Sequence, residues 1–138
     1  MLYAQRHIKL LSDPYSFDAD RNIAKKTILV LLNAETEYSA LKALEKEYGH
    51  TIDFAPIIAA AKQYHTPISD CFGSGIGIKL QNYDAQIALN VVSQFAARGI
   101  PCLPIHDSFI ADKRYKDELR KAMISSYKSL FYGEIYVH

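Results

Sequence analysis

The stretch that most constrains this chain is Ile100–Ala111, which reads IPCLPIHDSFIA. Two apolar runs, Cys102 to Ile105 and Phe109 to Ala111, flank a polar centre of His106, Asp107 and Ser108. β-Branched and aromatic residues on both sides of that break predict a strand–turn–strand hairpin. Such a hairpin carries Asp107 at its tip, where a carboxylate can meet solvent, a cation or a phosphate. A hard divalent ion such as magnesium takes carboxylate oxygens and keeps waters that a phosphate can replace. Asp and Ser are also ordinary turn residues, because their side chains hydrogen-bond nearby backbone. Taken alone, the stretch reads first as a structural turn and only second as a metal site.

A chain of 138 residues has room for one domain with a workable core, and residues 1–138 are read as a single domain. A formal net charge of +1 leaves no overall electrostatic footprint for nucleic acid, so any basic patch must be local. No apolar run is long enough to span a bilayer, which predicts no membrane partner. Arg6, His7 and Lys9 interrupt any secretory signal pattern. The only cysteines, Cys71 and Cys102, lack metal-ligand spacing and read as buried reduced thiols of a cytoplasmic protein.

In chain order, Met1 to Leu11 shows helical apolar spacing, and Ser12 to Ser16 reads as a loop around Pro14. Asp18 or Asp20 can then N-cap a helix through Arg21, Lys25, Leu29 and Asn33. A further helix is expected from about Glu35 to Tyr48, closed by Gly49. Thr51 is the expected cap of the next, whose apolar stripe is Phe54, Ile57, Ile58 and Ala61. Pro67 and the Gly73–Gly77 cluster break the pattern before a long helix from Ile78 to Arg98, ended by Gly99. Lys113 to Phe131 is a last amphipathic helix, and Glu134 to Val137 could form a short strand. The fold class is therefore α+β and mostly helical, with long helices packed on a small antiparallel β-hairpin sheet.

Arg21, Lys25, Leu29 and Asn33 recur every four residues and share one helix face. Two cations at the positive end of a helix dipole are unfavourable unless an anion sits there. Arg21 suits bidentate phosphate contact, Lys25 offers a point charge and a proton, and Asn33 can hydrogen-bond a sugar or base. A solvated charged face, with Lys26 alongside, is the plain alternative. The glycines at 73, 75 and 77 lack the lysine–serine ending of a phosphate loop.

A helix face with Arg-x-x-x-Lys, followed much later by a His-Asp-Ser hairpin, resembles the palm and fingers of family A DNA polymerases and phage-type single-subunit RNA polymerases. Arg21, Lys25 and position 33 match the fingers helix, and His106-Asp107-Ser108 matches the second catalytic carboxylate motif. Asp13-Pro14-Tyr15 resembles the short acidic motif ahead of the fingers helix, and Leu80-Gln81 the glutamine-bearing segment ahead of the hairpin. The resemblance runs through nearly the whole chain in order, on short motifs. It implies template-directed nucleotidyl transfer from a nucleoside triphosphate to a primer. Asp107 would hold magnesium (Mg2+), Arg21 and Lys25 the triphosphate, and Leu29 and Asn33 would complete the nucleotide-binding stripe. Lys25 would also give a proton to departing pyrophosphate, and His106 would support the primer end or the carboxylate. Tyr15 receives no role.

Three departures limit the implied activity, one being that nothing here resembles a thumb or an exonuclease. The family's other aspartate sits on a strand just before the segment that Met1-Leu2-Tyr3-Ala4 resembles, so it is missing, and one carboxylate cannot hold two ions in working geometry. The fingers position occupied by Asn33 is usually aromatic, and Asn33 cannot stack on a sugar. The chain therefore reads as the C-terminal part of a polymerase-like phage or plasmid replication protein, from a truncated, split or mis-assigned gene. It should be inactive alone unless a partner chain supplies the missing palm strand. Two other readings stay open: a non-catalytic nucleic-acid or nucleotide-binding module, and an interaction domain built on the chain's 10 tyrosines.

Overall fold

In the computed structural model, residues 1–9, 11–17 and 19–131 are described. The alternative cap Asp18 and the expected strand Glu134–Val137 lie outside them, as do Tyr132 and Tyr136. The elements are α1 (Leu2–Gln5), α2 (Arg21–Asn33), α3 (Glu37–Tyr48), α4 (Phe54–Tyr64), α5 (Ile76–Ala96), β1 (Cys102–Ile105), β2 (Ser108–Ala111) and α6 (Lys116–Leu130). Short 3-10 turns at Gly49–Thr51, Thr66–Cys71 and Lys113–Tyr115 connect them. The expected α+β class holds among these residues: helix dominates, and the sheet is a two-stranded antiparallel hairpin.

The chain divides into two compact units, and the boundary falls inside α5, after Leu80. The helical unit comprises Leu2 and Ile8–Leu80; the hairpin unit comprises Met1, Tyr3–His7 and the residues from Gln81 onward.

In the helical unit, α2, α3 and α4 pack on one another. Their inward residues Ala24, Leu31, Ala40, Leu44, Phe54 and Ala61 are almost fully buried. The caps explain where these helices begin. Asp20 accepts the Asn22 backbone N–H (2.9 Å) at the start of α2. Thr36 and Ser39 form a reciprocal capping box for α3, which ends at Gly49 with φ +68°. Helix α4 is capped by Asp53 rather than the expected Thr51: the Asp53 carboxylate accepts the Ala55 N–H (3.1 Å), while the Thr51 hydroxyl donates to the Tyr48 carbonyl. Lys26 is tied to Glu47 (2.7 Å) and Lys62 to Glu37 (2.5 Å), linking α2 and α4 to α3.

The glycine cluster is a packing device. Gly73 N–H donates to the Leu31 carbonyl (2.7 Å) and Gly75 N–H to the Ala34 carbonyl (2.8 Å), so the loop satisfies backbone acceptors that the end of α2 leaves unpaired. A Cβ on Gly73 (φ +63°) would lie 2.5 Å from the Glu37 nitrogen, so no side chain fits there. Gly77 is already inside α5 rather than breaking it, and it is buried against Asn33.

In the hairpin unit, α5 and α6 supply Val91, Phe95 and Ala122 to a core completed by Ile100 and Cys102, with Phe109 and Leu119 packed against it. Ile87, Tyr127 and Phe131 form a second cluster. The N-terminal helix expected over Met1–Leu11 stops after Gln5, and His7 adopts a positive φ of 55° that ends any continuation. No helix among the described residues is long and apolar enough to cross a membrane.

Candidate functional site

Each unit holds one part of the predicted chemistry. In the helical unit, Arg21, Lys25, Leu29 and Asn33 are all exposed on one face of α2, while Ala24, Thr27, Ile28 and Leu31 face inward. Leu29 is 55% exposed, so this stripe is not part of the core. Arg21 is the first helical residue, just after the Asp20 cap.

The Asp13-Pro14-Tyr15 loop arranges the cations of that face. The Tyr15 ring lies 5.5 Å from the Arg21 guanidinium carbon and 5.6 Å from Lys25 Nζ, within cation–π range of both. Asp13 Oδ2 pairs with Arg21, and Asp13 Oδ1 accepts the Tyr15 backbone N–H at 3.0 Å. That N–H, followed by the Arg21 contact, holds the Asp13 carboxyl below the usual aspartate range. The loop is fastened to the end of α4: the Tyr64 hydroxyl donates to the Asp13 carbonyl (2.8 Å), and the His65 ring nitrogen lies 2.7 Å from the Pro14 carbonyl. His65 is buried among Phe17, Tyr64 and Phe72, and burial lowers its pKa against the raising effect of the Pro14 bond. Sequence reasoning gave Tyr15 no role; its place in the loop, six residues before Arg21, gave no sign that its ring meets both cations.

Asn33 is held close to the protein. Its Nδ2 donates to the Leu29 carbonyl (2.8 Å), and a Cβ on Gly77 would come within 2.1 Å of its Oδ1. The amide therefore braces the end of α2 against the start of α5.

In the hairpin unit, the register pairs Ile105 with Ser108, leaving His106 and Asp107 as a two-residue loop. His106 takes the positive φ (52°) that such tight hairpin loops need, a conformation His adopts more readily than most residues. Both loop side chains are exposed, and Asp107 stands at the tip as the sequence predicts. A cavity of about 200 Å³ lies beside them, walled by Ile87, Met123 and Tyr127 and reached by His106, Asp107 and Asp84. Asp84 was not anticipated; it lies on α5, three residues beyond the Gln81 of the matched segment.

Among the described residues no three His, Cys, Asp or Glu side chains are grouped to hold a metal ion. Magnesium can nonetheless be held by one or two carboxylates with waters and substrate phosphate. Asp107 and Asp84 line the same cavity. Tyr127, a candidate interface tyrosine, is buried and packs on Phe131 at 5.0 Å. No family model, curated protein or solved structure matches the chain.

Proposed function

We propose that the chain is the nucleotide-gripping and carboxylate-bearing part of a template-directed nucleic-acid polymerase, working in the cytoplasm with a primer–template and a nucleoside triphosphate. The observation that carries this reading is the exposed α2 face, where Arg21 and Lys25 are held over one aromatic ring. Like charges four residues apart on a helix repel, and near its N-terminus they also oppose the dipole. Such an arrangement is favourable once an anion of high charge density arrives.

On this reading Arg21 grips a phosphate through its fork of N–H donors, and Lys25 places a point charge beside it. As the primer 3′-hydroxyl oxygen bonds to the α-phosphorus, its proton passes to solvent water, the bond to the bridging oxygen breaks and pyrophosphate leaves, taking a proton from Lys25. Asp107, with Asp84 on the same cavity, would hold magnesium, which when bound neutralises phosphate charge. His106 would orient the primer end or the Asp107 carboxylate, and Leu29 would flank the nucleotide. Completing a two-ion site needs an aspartate from another chain or segment. The apolar outer face of the hairpin, with Leu103 61%, Ile105 45% and Ile110 56% exposed, is the kind of surface an added palm strand or partner chain would cover.

A second reading, a non-catalytic nucleotide-binding module, is favoured by Asp84 being, among the described residues, the one other carboxylate lining the cavity of Asp107. A primed-template extension assay separates the two. The purified chain should incorporate no nucleotide alone and should gain incorporation when a segment carrying a second metal-binding aspartate is supplied. Extension that survives Asp107→Asn would overturn the polymerase mechanism.

A further inference from the structure

We propose that Tyr15 is the positioning residue of the phosphate grip: its ring sets Arg21 and Lys25 side by side, so that both can engage one phosphate chain. This inference rests on the nucleotide-binding reading and gives a role to a residue that the resemblance left without one. Tyr15 lies outside α2, six residues before Arg21, and is half-buried. Its ring nevertheless stands 5.5 Å from the Arg21 guanidinium and 5.6 Å from the Lys25 ammonium.

The surrounding bonds give the ring a fixed mount. The Tyr15 N–H is held by Asp13 Oδ1, the Asp13 carbonyl by the Tyr64 hydroxyl, and the Pro14 carbonyl by the His65 ring. Three consecutive residues are thus fastened, two of them to the end of α4. A long cationic side chain on an exposed helix loses rotamer freedom when it binds a ligand, and pre-positioning reduces that cost. An aromatic face is suited to this task. It attracts both cations without neutralising either, whereas a carboxylate would compete with the phosphate.

Asp13 fits the same scheme. Its pair with Arg21 is exposed, with side-chain exposures of 55% and 39%, and exposed ion pairs are weak. An incoming phosphate can take Arg21 from Asp13, while the ring keeps the guanidinium near Lys25.

The test uses the full chain, with ATP and inorganic triphosphate as probes in low salt. Binding is read by calorimetry, and the Arg21 and Lys25 side-chain protons by NMR. In the wild type these protons should be shifted upfield by the ring, and both probes should bind. Tyr15→Leu should abolish the upfield shifts and weaken both probes by about fivefold or more, while Tyr15→Phe should restore both to within about twofold. Equal affinity in Tyr15→Leu and wild type would overturn the positioning role while leaving the nucleotide reading intact. So would a Tyr15→Phe variant as weak as Tyr15→Leu. Absence of binding in the wild type would instead overturn the nucleotide reading and this inference together. A circular dichroism spectrum of Tyr15→Leu matching wild type shows that any loss is not unfolding; if it differs, the Phe variant and the wild-type ring shifts decide.

Discussion

Around Arg21 and Lys25, the helical unit supplies a ring, a carboxylate and two hydrogen bonds from α4; the hairpin unit presents Asp107 on a two-residue loop. The cations stand on a thirteen-residue helix whose inner face is core and whose far end is closed by the glycine loop. The carboxylate stands on a hairpin that packs one face on α5 and α6 and exposes Leu103 and Ile110, direct partners in the register, on the other. Groups mounted on packed helices are held more tightly than groups on loop tips. The contrast teaches that the paired cations are organised by side chains and hydrogen bonds of their own unit, whereas the hairpin tip has a neighbouring carboxylate and an exposed apolar face.

The strongest way to break that contrast is Gly73→Ala. The new methyl would overlap the Glu37 nitrogen at 2.5 Å and force a side chain into a left-handed conformation. Destabilisation of about 3 kcal/mol is expected from strain and overpacking together. Chemical denaturation should show the loss, and a near-neutral result would mean that the glycine loop does not brace α2.

A smaller effect should follow acidification. His65 is 2% exposed, and burial holds its pKa below the usual histidine value, so the folded state favours the neutral ring. The unfolded chain then binds more protons as pH falls below about 6.5, and the stability His65 contributes is full above that pH. It is lost as pH falls through the lower folded value. Denaturation midpoints should drop between pH 7.5 and pH 5, and His65→Phe should flatten that drop. Asp13, also with a depressed pKa, acts in a separate window, contributing above the ordinary aspartate range and losing its effect at still lower pH. A midpoint that is flat across the histidine window would contradict the anchoring of Pro14 by a buried neutral ring.

The smallest change sharpens the picture of the helical core. Thr27 is fully buried on α2, and its hydroxyl oxygen has no hydrogen-bond partner. Thr27→Val keeps the shape and removes the unsatisfied group, so stability should rise by about 1 kcal/mol. Thermal or urea unfolding would show it, and destabilisation would mean that the hydroxyl has a role in the core.

The sequence was most informative where the signals were local. Two apolar runs flanking the polar centre His106-Asp107-Ser108 located Asp107 at a hairpin tip, and four-residue spacing put Arg21, Lys25, Leu29 and Asn33 on one exposed face. Asp20 and Gly49 marked helix ends because caps act within a few residues. Non-local features stayed hidden. Thr51 and Asp53 are both competent caps, and only the 3-10 turn that engages Thr51 decides between them. The glycines at 73 and 75 read as breakers, since nothing in their own stretch names Leu31 and Ala34 as their acceptors. The Tyr15 ring and the Asp84 carboxylate were silent for the same reason: their significance lies in neighbours on other elements.

The central claim is that Arg21 and Lys25 together hold the phosphates of a nucleotide. The direct measurement is calorimetric titration of the full chain with a nucleoside triphosphate and magnesium, repeated at higher salt and with Arg21 and Lys25 both replaced by Ala. Saturable binding that weakens with salt, and falls by about tenfold or more in the double variant, is the predicted result. Wild-type binding that the double variant leaves unchanged, or no binding at all, would contradict it.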